Sequence, residues 1–249
     1  MRLSQALGIK AGDLVVLVGA GGKTSALNRL AKELTSSGET VVLTTTTKIF
    51  PPTGLQYQFH LLKDLVPLDL KKSKPEASKV MVLGKEMNQA QKIVGLDVKE
   101  VKKIKDMYPE AVILVEGDGA KGKPFKAPRE YEPIIPDDAT LVVPVLGIDA
   151  IDKPLNEMYF HAVEKLSLLT GLKQGDYFRV KDAAHVLLHC EGYRKGVSPL
   201  VRWIPLINKA DTPGSRENAL ELIEILKKAK VQKVILGSLG IENTLVEVF

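Results

Sequence analysis

Two periods alternate along the apolar positions of this chain, nearly to its end. Short apolar, strand-like runs at 13–18, 40–44, 57–61, 79–83, 111–115, 140–146, 202–207 and 233–236 have strand length. Between them, 23–36, 98–107, 161–170, 181–189 and 216–228 space their apolar residues like one face of a helix. This alternation predicts an α/β fold with a mostly parallel central sheet flanked by helices. Val112 to Val115 is continuously apolar, as in a strand covered on both faces. Two stretches break the pattern: Pro51-Pro52-Thr53-Gly54, and a polar, lysine-rich segment at 62–78 containing two prolines. Both follow the second strand, where an insertion or lid is expected. A loop at 147–154 precedes about 40 residues of helical pattern. One domain spanning 1–249, with a small helical insertion or subdomain at 155–200, is therefore expected.

Composition narrows the class without changing the fold. The 249 residues are 45% hydrophobic and 26% charged, ordinary for a globular protein. A single cysteine, Cys190, permits no internal disulfide and fits a reducing compartment. Residues 1–10 lack the apolar core of a signal peptide, and no segment approaches the ~20 apolar residues of a membrane span. A cytoplasmic protein without a membrane partner is expected. The net charge of +5 comes from lysines scattered over helices and loops, and aromatics are only 5%. No stacking motif accompanies them, so the reading is a solvated basic surface with no nucleic-acid partner. Part of that positive field could instead attract an anionic ligand or an acidic protein.

The first strand carries candidate chemistry. It runs into Gly19-Ala20-Gly21-Gly22-Lys23-Thr24-Ser25, at the start of a predicted helix. Strand, glycine loop, lysine and hydroxyl make the P-loop arrangement for nucleoside triphosphate phosphates. Backbone N–H groups from Gly19 to Gly22 would cradle phosphate oxygens, Lys23 would add a point charge, and Thr24 a hydroxyl for Mg²⁺. The loop is Gly-x-x-Gly-Lys-Thr, two residues shorter than the usual pattern, and similar to the short loops of the Mur ligases. A dinucleotide fingerprint is the competitor, because Gly19-x-Gly21 opens one. Its third glycine position holds Thr24, and the second strand ends in threonines instead of a ribose-binding acid.

Further along, Val112-Ile113-Leu114-Val115-Glu116-Gly117-Asp118-Gly119 delivers two carboxylates to a strand tip. Ligands of open α/β sheets bind at that edge, where Glu116 or Asp118 could hold Mg²⁺ or orient water. The bland alternative is an acidic turn. Ala120-Lys121-Gly122-Lys123-Pro124-Phe125-Lys126 follows; its lysines, Lys121 and Lys123 foremost, could clamp phosphate charge or hold an anionic second substrate. At the tip of the second strand, Thr44-Thr45-Thr46-Thr47-Lys48 could place hydroxyls, such as that of Thr46, at Mg²⁺.

Near the C-terminus, Asn208-Lys209-Ala210-Asp211 follows an apolar run and matches the Asn-Lys-x-Asp motif that reads guanine. An aspartate accepts from guanine's ring N–H and amine, which adenine does not offer; discrimination of about 1–3 kcal/mol follows by analogy with other bidentate base contacts. The competing reading is a strand–helix turn in which Asp211 or Ser215 caps the next helix. His185 and His189, with Cys190 adjacent, have transition-metal spacing but no evident third ligand.

Taken together, the chain resembles the YqeC family, accessory proteins of selenium-dependent molybdenum hydroxylases. The resemblance is carried by Gly19-Ala20-Gly21-Gly22-Lys23-Thr24, the threonine run through Lys48, Glu116 to Pro124, Gly147-Ile148-Asp149-Ala150 with Lys153-Pro154-Leu155, and Ile207 to Asp211. The family pattern more often has alanine at Gly117, and arginine where this chain has Ala162 after His161. The resemblance implies a P-loop NTPase-like fold and a role in maturing a molybdenum hydroxylase, whose partners are that enzyme or its cofactor-assembly proteins. Glu116 and Asn208-Lys209-x-Asp211 also resemble the metallochaperone GTPases of nickel-enzyme assembly. Three readings stand: a Mg²⁺-dependent NTPase preferring GTP to ATP, a kinase- or ligase-like transferase, and a non-catalytic nucleotide sensor.

Overall fold

A computed structural model describes residues 1–62, 80–240, 244 and 246–249. The expected insertion at 62–78 lies outside them save for Leu62, as does Lys79 at the start of the fourth expected strand. The first β-strands are β1 (Leu14–Gly19), β2 (Val41–Thr45), β3 (Lys48–Ile49), β4 (Tyr57–Leu61), β5 (Val80–Gly84), β6 (Glu86–Met87), β7 (Ile93–Val94) and β8 (Val112–Glu116). They are followed by β9 (Phe125–Lys126), β10 (Leu141–Gly147), β11 (Phe160–His161), β12 (Arg202–Trp203), β13 (Leu206–Asn208), β14 (Ile235–Leu236) and β15 (Glu247–Val248). The helices are α1 (Leu3–Leu7), α2 (Lys23–Thr35), α3 (Val98–Met107), α4 (Val163–Thr170), α5 (Val180–Leu188) and α6 (Pro213–Lys228).

The main sheet runs β15-β14-β13-β10-β1-β8-β2-β5-β4, with β12 also on β10. Every pairing in it is parallel except β14 with β15. The fold is thus mixed α/β, with a mostly parallel sheet flanked by helices, consistent with P-loop NTPase-like architecture. β1 is central, and its alternation explains why. Leu14, Val16 and Val18 join the core on one face, with Val101 and Ile104 of α3 and Ala219, Leu222 and Leu226 of α6. Val15 and Leu17 join the other, with Leu3 and Leu7 of α1 and Ala26, Leu27, Leu30 and Leu34 of α2. Each valine, leucine or isoleucine side chain so taken from water contributes roughly 1.5–3 kcal/mol. The strand must be apolar at every position because both faces are covered.

This topology positions the site. From β1 the chain crosses through α2 to β2, then returns to fill the gap with β8; β10 lies on the opposite side of β1. Strand order reverses at β1, and the crevice beyond the carboxyl ends of β1, β8 and β10 is where such sheets bind ligands.

Two expectations are corrected. The strand predicted at 202–207 is two strands, β12 and β13, divided at Pro205, which has no N–H for the ladder. The helix predicted from 161 starts at Val163: His161 pairs instead with Lys126 in the small β9–β11 sheet, and Ala162 turns the chain at φ +59°. Among the described residues no helix is long and apolar enough to cross a membrane.

Candidate functional site

The glycine loop is held by backbone contacts from two neighbours. The Ala20 N–H donates to the Val145 carbonyl of β10 at 2.9 Å, and the Gly21 N–H to the Lys123 carbonyl at 2.9 Å. Gly21 has φ +74°, and a Cβ there would lie 2.0 Å from the Gly147 nitrogen, so no other residue fits without moving β10. Gly22, at φ +129°, opens α2 without a side-chain cap. The N–H groups of Lys23, Thr24 and Ser25 find no acceptor among the described residues. A loop ending in free helical N–H groups is an anion-binding geometry.

Beside it lies a chain of buried charges. Lys23 is 4% exposed, Asp118 1% and Lys126 0%. The Lys23 ammonium sits 3.2 Å from Asp118 Oδ1 and 3.8 Å from Glu116 Oε1. Asp118 also accepts from the Gly19 N–H at 2.9 and 3.0 Å, and pairs with Lys126 at 3.1 Å. Lys126 continues to Glu132 Oε2 at 2.5 Å and to the Gly119 carbonyl at 2.7 Å. Both Asp118 oxygens are therefore engaged by protein donors, as buried charges require. Glu116 differs: its Oε2 faces the Thr24 hydroxyl at 3.4 Å, and burial pushes its carboxyl above the usual range against the pull of Lys23. The adjacent pairing of β1 with β8 brings these groups together.

Other predicted residues take assorted positions. Thr46 Oγ1 donates to the Glu116 and Gly117 carbonyls at 3.5 and 3.3 Å, and Thr45 Oγ1 to Glu116 at 2.9 Å, so the threonine run stitches β2 to the acid turn. Asn208 donates to the Gly21 carbonyl at 2.8 Å and accepts from the Leu239 N–H at 2.8 Å, tying β13 to the glycine loop. Lys209 pairs with Asp149 at 2.8 Å. Asp211 is exposed; Thr212, not Asp211, caps α6, in a reciprocal box with Ser215. The His185 and His189 rings lie 5.1 Å apart, tilted by 44°, but no group of three metal-binding side chains occurs among the described residues.

With this geometry in view, the relatives are informative. The YqeC protein family model matches residues 15–164, more than half of the chain. The "Uncharacterized protein YqeC" of Escherichia coli (strain K12) is 30% identical over 234 residues, covering 91% of this chain and 87% of that protein. The chain belongs to the YqeC family. The YqeC match spans the glycine loop, the acid strand, the basic loop and His161, whereas Asn208 to Asp211 lie beyond it.

Within this YqeC segment the basic loop divides its labour. The Lys123 carbonyl supports Gly21, while its ammonium donates to the Met158 carbonyl at 2.9 Å. Lys121 is exposed at φ +49°. Both line a cavity of about 680 Å³. Sequence reasoning missed the roles of Lys126, Glu132 and Tyr193. For Lys126 a signal existed, a lysine flanked by Phe125, Ala127 and Pro128. Tyr193 had none: its fully buried hydroxyl lies under Gly19, and burial together with Asp118 pushes its phenol well above the ordinary value.

Proposed function

We propose that this YqeC-family protein is a Mg²⁺-dependent, nucleoside triphosphate-binding and -hydrolysing accessory protein for maturation of a selenium-dependent molybdenum hydroxylase, with GTP favoured over ATP. The observation that carries the reading is Lys23 at the uncapped start of α2, facing Glu116 and Asp118 from the adjacent strand. The Gly19, Ala20 and Gly21 N–H groups, expected to cradle phosphate, are instead engaged by Asp118, Val145 and Lys123, so the N–H groups of Gly22 and of the first turn of α2 receive phosphate oxygens. Thr24 and Glu116 offer hard oxygen donors suited to Mg²⁺, which when bound would neutralise phosphate charge. Asp118, already engaged by Gly19, Lys23 and Lys126, acts as the support that aims Lys23. The exposed Asp211 is left uncommitted by the Thr212 cap, which supports guanine reading. The partners in this reading are the hydroxylase or its cofactor-assembly proteins, in the cytoplasm. A kinase- or ligase-like transferase is the second reading, favoured by the hydrogen bond from Gly21 to Lys123 that abuts the phosphate loop on a cationic cavity.

The test is calorimetric titration of non-hydrolysable GTP and ATP analogues with Mg²⁺ into the native chain, Lys23→Ala and Asp211→Ala. Binding lost in Lys23→Ala, with the preference for guanine lost in Asp211→Ala, is the expected result. Binding of neither nucleotide by the native chain would overturn the proposal.

A further inference from the structure

The cavity of about 680 Å³ is lined by Lys121, Lys123 and Arg129, and by His161 and the start of α4. Its volume is that of a small-molecule site. Two independent features converge there. First, α4 begins without a side-chain cap, because Ala162 holds the N-cap position. The N–H groups of Val163, Glu164 and Lys165 have no acceptor among the described residues, and all three residues line the cavity. Second, His161 is only 7% exposed, lines the same cavity, and makes no hydrogen bond among the described residues. Its ring nitrogens are not sealed from solvent, so they open on the cavity, where a ligand can reach them.

The charges are arranged to match. The side chains of Lys121, Arg129 and Lys165 form no ion pair among the described residues, although Glu130, Glu157 and Glu164 line the same space. This contrasts with the buried cations Lys23 and Lys126, each matched to acids. We propose that this cavity is a binding site for a small molecule bearing an oxyanion, a phosphate monoester or a carboxylate, held by the free N–H groups of α4, Arg129, Lys121 and His161. The site is separate from the glycine loop and does not require nucleotide. Its wall meets that loop through the Lys123 carbonyl and through Lys126, which pairs with His161 in the β9–β11 sheet and with Asp118.

His161 is also the reporter. Burial and the cations Lys126, Arg129 and Lys121 hold it down to about 4, with Glu132 opposing them. An oxyanion placed among those cations offsets them and moves the titration upward. The experiment is histidine ring NMR on the full chain, the His161 signal being assigned with His161→Asn, during titration with phenyl phosphate and, separately, benzoate. A saturable shift of His161 and a raised titration midpoint are expected with at least one probe; which probe acts identifies the oxyanion. The effect should persist in Lys23→Ala and weaken about tenfold in Arg129→Ala and Lys121→Ala, both of which alter exposed residues. No saturable shift with either probe would overturn the proposal. So would a shift lost in Lys23→Ala and kept in Arg129→Ala, which would assign the anion to the glycine loop.

Discussion

The two cationic regions of this protein, which share the loop from Lys121 to Arg129, solve opposite problems. At the glycine loop, Lys23 and Lys126 are buried and internally neutralised by Asp118, Glu116 and Glu132. At the α4 cavity, Lys121, Arg129 and Lys165 are exposed or near water and form no ion pair among the described residues, and the buried His161 is held neutral. The first region keeps its charges because every one is matched; the second avoids burying any charge at all. Desolvation makes the difference: a buried ion needs a partner, and an exposed one does not.

The sharpest way to break this contrast is to remove the shared acid. Asp118→Ala leaves Lys126 and Lys23 short of a counter-charge and Gly19 without an acceptor, so a loss of about 3–5 kcal/mol is expected in urea unfolding. Lys121→Ala, by comparison, should stay within ~0.5 kcal/mol. A near-neutral Asp118→Ala would mean that the buried charges are reached by water.

A smaller effect tests the α4 side. Ala162 holds a left-handed φ of +59° that glycine adopts without Cβ strain. Ala162→Gly should therefore stabilise the chain by about 1 kcal/mol, read as a raised denaturant midpoint. Destabilisation would show that the methyl group packs better than the turn is strained.

At neutral pH the smallest effect is that of His161, which acts through a slope on the acid side. Because His161 is lowered from 6.5 to about 4, the unfolded chain binds the extra proton between those values. Its contribution to stability is therefore constant above about 6.5 and falls as pH drops toward 4. His161→Asn should flatten that part of the stability–pH curve and leave neutral pH nearly unchanged. An unaltered acid limb would place the imidazole in contact with water.

Much of the architecture was legible because each element obeys a local rule. The run from Leu14 to Val18 is apolar at every position, as a strand between two helical layers must be, and the periodicity of 98–107 bounded α3, which Asp97 caps in the structure. The errors fell where a single residue outweighs periodicity: Pro205 splits a strand, and Ala162 diverts a helical pattern at His161 into a strand pair. The glycine loop and the acid strand were likewise readable, because glycine, lysine and acid at a strand tip are local signals.

By itself the sequence determined the α/β alternation, the glycine loop and the acidic tip. Local chemistry suffices for those: backbone angles, side-chain period and charge all sit within a few neighbouring residues. Only the tertiary structure separated Glu116, which faces Thr24, from Asp118, which is spent on Gly19, Lys23 and Lys126. Only it buried Lys126, joined Asn208 to Gly21 across the sheet, and brought His161 and Arg129 to one cavity. Those assignments depend on desolvation and on contacts between residues distant in the chain, and neither quantity exists until the strands are ordered in space.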